Sequence, residues 1–126
     1  MEPRARRHGP PGWPQEVPPA GAGEWRSAAV AWLLDQAPPE YRGHPPLRNH
    51  PVLLAWLVGH HVAAGREAVR RATAGARREL SAHLPPEVVP RALEVLEHEE
   101  LRLRRLARAV DQLQSALRGE GFVPRL

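Results

Sequence analysis

His60 and His61 are the residues that first invite a chemical reading, and His44, His50, His83 and His98 add further imidazoles to a possible metal site. Helix geometry argues against one. Neighbouring residues on a helix point about 100° apart, so His60 and His61 cannot converge on a single ion. The hairpin derived below sets His98 near Ala72, about 16 Å along the axis from His61. No HExxH or carboxylate–histidine spacing is present. The sequence predicts no metal site and no cofactor, and it places His61 on an apolar face as a hydrogen-bonded core histidine.

Acid–base and nucleophilic chemistry fare no better. Asp35 and Asp111 are the two aspartates, and the glutamates share a helix face with arginines. Ser27, Ser81 and Ser115 have no base and orienting partner at a plausible spacing. Gly21-Ala22-Gly23 lacks the preceding strand and the GK[ST] ending of a phosphate loop. The absence of cysteine removes thiol catalysis, thiolate metal sites and disulfides, and gives no sign of an oxidising compartment. No enzyme activity and no small-molecule ligand are expected.

The arginines carry the remaining chemistry. All 18 basic residues are arginine and the net charge is +4. With abundant Ala, Pro, Gly and Leu, this is the composition a GC-rich bacterial genome writes, so the charge is a weak sign of nucleic-acid binding. Arg70, Arg71, Arg77 and Arg78 are expected to pair across the hairpin with Glu87, Glu94, Glu97, Glu99 and Glu100. Glu67–Arg71, Glu87–Arg91 and Glu100–Arg104 should add pairs within helices. The arginines left over, Arg66, Arg102, Arg104, Arg105 and Arg108, gather at mid-hairpin as a candidate patch for an anionic partner. No groove-reading motif accompanies them.

The elements that position these groups follow from apolar spacing and breakers. Residues 1–23 hold Gly9-Pro10-Pro11-Gly12, Trp13-Pro14 and Pro18-Pro19. Such a stretch cannot be helical, and it is expected to be a disordered arm in which Trp13 and Val17 alone could dock. A first helix should span 24–36, with Trp25, Ala28, Ala29, Trp32 and Leu33 on one face. Pro38 to Pro46 reads as a loop or short turn containing Tyr41. A second helix, 51–83, opens at Asn49-His50-Pro51, a cap followed by proline in the first turn. A third helix, 87–118, carries Val89, Ala92, Leu96, Glu99, Leu103, Leu106, Val110, Leu113 and Leu117 at alternating steps of three and four. That is a coiled-coil seam with Glu99 as its polar intruder. The tail, 119–126, ends in Phe122-Val123-Pro124-Arg125-Leu126, which could fold back or dock elsewhere.

The short Leu84-Pro85-Pro86-Glu87 connection forces the long helices antiparallel, so residues meet when their numbers sum to roughly 170. The fold class is therefore all-α, a long helical hairpin with a short N-terminal helix packed at its open end. Gly59, Gly65 and Gly75 each cost about 1 kcal/mol inside a helix, which close approach of the third helix would repay. The second helix has more apolar surface than one neighbour can cover, and Leu53, Leu57, Ala64 and Ala68 form a candidate association strip. A second copy or another protein is the expected partner, with nucleic acid as the alternative. The longest apolar run, Val52 to Val58, is too short to span a bilayer. No signal peptide is visible, and a cytoplasmic location is expected.

Overall fold

The computed structural model describes residues 9–119. Four α-helices follow one another, with no strand among the described residues: α1 (Trp25–Gln36), α2 (Pro45–Asn49), α3 (Pro51–Leu80) and α4 (Val88–Leu117). The all-α hairpin expected from the seam is observed, with α3 and α4 packed against each other over their length and α1 against their open end.

Proline sets the punctuation. α3 starts at Pro51, whose missing N–H falls where no intrahelical partner exists. Asn49 does not cap it; Asn49 closes α2, and His50 precedes α3 without a side-chain cap. α3 ends at Leu80, three residues short of the expected His83, because the backbone tightens. The His83 and Leu84 N–H groups both donate to the Leu80 carbonyl, at 2.9 and 3.0 Å, and Pro85 and Pro86 then offer no donor. Pro90 lies in the first turn of α4, where a donor is dispensable. The expected short turn containing Tyr41 spans Pro39–Gly43, and the five-residue α2 that follows, with Leu47 buried, was not expected. The domain has four helices where three were expected.

The register agrees with the sequence. A Cβ built on Gly65 would lie 3.6 Å from Leu103 Cδ1, and one on Gly59 3.7 Å from Val110 Cγ1. Both glycines face α4, at ordinary van der Waals range, so a methyl group fits where a leucine does not. Gly75 departs from the expectation: its neighbours are Glu79 and Arg78 of its own helix, not α4.

The core is concentrated at the open end, where Leu33 of α1, Leu54 and Val58 of α3, and Val110 and Leu113 of α4 are fully buried. From residues 9–23, Val17 is buried in this core and Trp13 packs against it, the two residues of the arm expected to be able to dock. Val17 is 2 % exposed. Trp13 packs on Trp25 with ring centroids 6.1 Å apart, and its indole N–H donates to the Val17 carbonyl at 2.8 Å. Gly12 makes this turn possible: its φ is +93°, and a Cβ there would come within 2.7 Å of the Arg108 side chain. Residues 1–8 and the closing peptide Phe122 to Leu126 lie outside the described residues.

Candidate functional site

Two grooves flank the seam between α3 and α4, and each collects part of the chemistry expected at mid-hairpin. The first, about 570 Å³, is lined by Trp56, His60 and Arg66 from α3 and by Arg104, Arg108 and Asp111 from α4, among others. The α3 residues share this side because they recur at steps of three and four. Trp56 is 45 % exposed and meets the His60 ring edge-on at 4.7 Å between centroids. Glu100 sits between two of the arginines, 2.8 Å from Arg104 and 3.7 Å from Arg66. The Arg66 Nε is buried without a hydrogen-bond partner. Arg108 forms no ion pair among the described residues.

The predicted arginine patch is therefore divided. Arg66, Arg104 and Arg108 come together. Arg102 lies across the seam, where its guanidinium makes two hydrogen bonds to Glu99, at 2.9 and 2.7 Å. Those bonds hold the Glu99 carboxyl below its ordinary range and raise Arg102. They also explain how a carboxylate sits in an apolar seam: Glu99 is half-buried at its edge with a cation supplied from the next turn. Arg105 is exposed and lines neither groove.

The expected cross-hairpin pairing of the distal arginines does not form. Arg70 and Arg71 pair with Glu67 of their own helix, Arg71 at 3.5 Å, and Arg78 pairs with its neighbour Glu79 at 3.4 Å. These side chains project away from α4, so carboxylates of their own helix lie nearer than those of the other arm. Arg66–Glu100 is the one ion pair crossing the hairpin among the described residues. Glu67–Arg71 and Glu100–Arg104 form as expected; Glu87–Arg91 does not.

The second groove lies on the opposite side of the seam, mixed in lining near Glu99 and Arg102 and apolar toward the tip. At the open end it is closed by α1 and the turn after it: Gln36 borders it with His61, Val62 and Gly65, and Tyr41 meets His61 edge-on at 6.4 Å. His61 is thus an exposed residue beneath a tyrosine, without the hydrogen bond expected of a core histidine. Toward the hairpin tip none of the described residues closes it. There a groove of about 440 Å³ runs between Ala72, Gly75, Ala76 and Leu80 of α3 and Ala92, Val95 and Leu96 of α4. Val95 is 65 % exposed.

No family model, curated protein or solved structure matches this chain.

The predicted association strip is only partly realised. Leu57 packs against the core, Leu53 is 38 % exposed, and Ala64 and Ala68 are exposed. Uncovered apolar side chains lie at both ends, Val52, Leu53 and Trp56 at the open end and Val95 toward the tip. Neither Val95 nor Trp56 was singled out by the sequence pattern. Val95 falls beside the seam, one position before Leu96. Trp56 sits inside a run that is apolar nearly all round, so spacing alone does not say which of its members stay outside.

What these surfaces can do is make contacts. Asp35 is engaged with Arg42 at 2.6 Å, and no three His, Asp or Glu side chains gather to hold a metal ion among the described residues. No described helix is long and apolar enough to cross a membrane.

Proposed function

We propose that the chain is a non-enzymatic protein–protein interaction module, with the distal apolar groove as its docking surface. The observation that carries this reading is the half-filled groove. One helix of the chain, α1, covers the open end, while the tip presents the same kind of surface with Val95 uncovered. Exposed apolar surface of this kind marks interaction sites. A cysteine-free, arginine-rich composition is compatible with a cytoplasmic bacterial module whose hairpin acts as a coiled-coil-like scaffold. A photo-crosslinking residue at Val95, introduced in the native cell, should yield discrete protein adducts that the same residue at Arg105 does not. Equal labelling at both positions, or none at Val95, overturns the reading.

The second reading is a nucleic-acid-associated protein using Arg66, Arg104 and Arg108 on the phosphate backbone. It is favoured by Trp56 at the edge of that groove, since aromatic faces beside arginines suit unpaired bases. Asp111 in the same groove, and Glu100 paired with two of these arginines, weigh against it. Retention on single-stranded DNA or RNA that falls steeply with salt would support it, and salt-independent flow-through would remove it.

A further inference from the structure

We infer that the occupant of the distal groove is a second copy of this chain, packed on it about a two-fold axis with the hairpin tips pointing in opposite directions. This rests on the interaction reading above and names its partner.

Three features of the groove select that occupant. The first is the shape of what already fills it. The groove at the open end takes a helix, α1, so its continuation has the width for another helical layer, and the distal half of the same hairpin is such a layer. The second is steric. If two copies met with their tips side by side, their α1 layers would face each other at the open ends and hold the distal grooves apart. With tips opposed, each α1 lies beyond the partner's tip, and the two distal halves close into a four-helix bundle.

Charge is the third. On α4, Arg91, Val95 and Glu99 follow at steps of four and lie along the groove edge. A two-fold axis near Val95 sets the Arg91 of each copy against the partner's Glu99. Arg91 has no ion pair among the described residues, and Glu99, held by Arg102, keeps acceptor capacity on its carboxylate. On α3, Glu79 borders the groove and is joined only to its neighbour Arg78 among the described residues. The same axis brings Glu79 within reach of the partner's Arg71. The order of charge along the stripe, basic at one end and acidic at the other, is what an antiparallel self-contact requires. Burial of roughly 400 Å² per copy, about 800 Å² in total, falls short of the roughly 1,000 Å² that a stable interface clears, so the dimer is weak and transient.

Because the chain has no cysteine, Val95→Cys places a single reporter thiol near the axis. Under mild oxidation it should give covalent dimer far faster than Arg105→Cys, since a disulfide needs Cα atoms within about 7 Å. Sedimentation velocity should show a monomer–dimer equilibrium for the unaltered chain. Arg91→Glu and Glu99→Arg should each weaken that equilibrium about tenfold or more, while an equimolar mixture of the two restores it. Circular dichroism of each variant checks that folding is intact. A monomer at every concentration, crosslinking no faster at Val95 than at Arg105, or charge variants that do not rescue each other overturns the proposal. If the chain is monomeric while Val95 still crosslinks to a different protein in cells, the interaction reading stands and self-association falls.

Discussion

The two halves of the α3–α4 hairpin are built from the same spacing and end in different states. At the open end α1, α2 and residues 9–23 lie against the pair, and Leu54, Val58, Val110 and Leu113 lose all contact with solvent. Toward the tip, among the described residues, the pair stands alone. Val69, Ala76 and Val89 are buried between the arms, but Leu96 is half-buried and Val95 and Leu101 are exposed. Two helices bury a stripe on each other, and a third element is needed to bury anything beside it. Burial is therefore deepest at the open end, although Val52, Leu53 and Trp56 stay exposed on its outer side.

The largest effect should come from truncating matched seam leucines in the two halves. Leu113→Ala is expected to cost about 3–5 kcal/mol, since a fully buried leucine leaves a cavity that its neighbours cannot fill. Leu96→Ala, at a site open to water, should cost roughly half as much or less. Urea denaturation of both variants checks the contrast, and equal losses would break it.

Removal of residues 1–19 comes next. Burial of Val17 and the packing of Trp13 on Trp25 should be worth about 2–3 kcal/mol, a fall in melting temperature on the order of 10–15 °C for a domain of this size. Trp13→Ala should reproduce part of the fall. An unchanged melting curve would mean that the open end owes its burial to the helices alone.

Gly65 sharpens the comparison at the boundary between the halves. Gly65→Ala places a methyl group at ordinary contact distance from Leu103 and adds helix propensity, so a gain of up to about 1 kcal/mol is expected. Gly65→Leu should instead lose about 1–3 kcal/mol to overpacking. A leucine variant more stable than the alanine one would show that α3 turns its other side to α4.

The smallest expected effect concerns Glu99 and Arg102. The folded state holds the Glu99 carboxyl below its usual value of 4.5. Its contribution is therefore fully present above that value and fades as pH falls through the lower folded one. Both partners are substantially exposed, so the effect is slight. Stability curves for the native chain and Glu99→Gln should converge as the pH is lowered, and curves that stay parallel down to pH 2 would remove the pair from the account.

The register and the antiparallel hairpin were legible in the residues themselves, because a heptad seam and a proline-bounded turn are local signals. In residues 9–23 the sequence named Trp13 and Val17 as the candidates to dock, but not whether or how they do. The prolines and glycines there report that no helix forms, which says nothing about packing, and Trp13 and Val17 dock through irregular turns. The arginine patch was half legible. Its members follow closely in sequence, yet consecutive helix positions point to different sides, so Arg102 and Arg104 occupy opposite grooves.

By itself the sequence determined the three longer helices, though not α2, that the long pair is antiparallel, and that Gly59 and Gly65 face α4. Those properties depend on spacing within one helix and on the reach of a short connection. Tertiary structure alone decided that α1 and the turn after it close one groove only as far as Gly65, that His61 lies under Tyr41 and outside the core, and that the groove around Val95 is left open. The direction of a side chain around its helix axis is local. Whether anything is there to cover it depends on where distant segments settle, and no local periodicity carries that information.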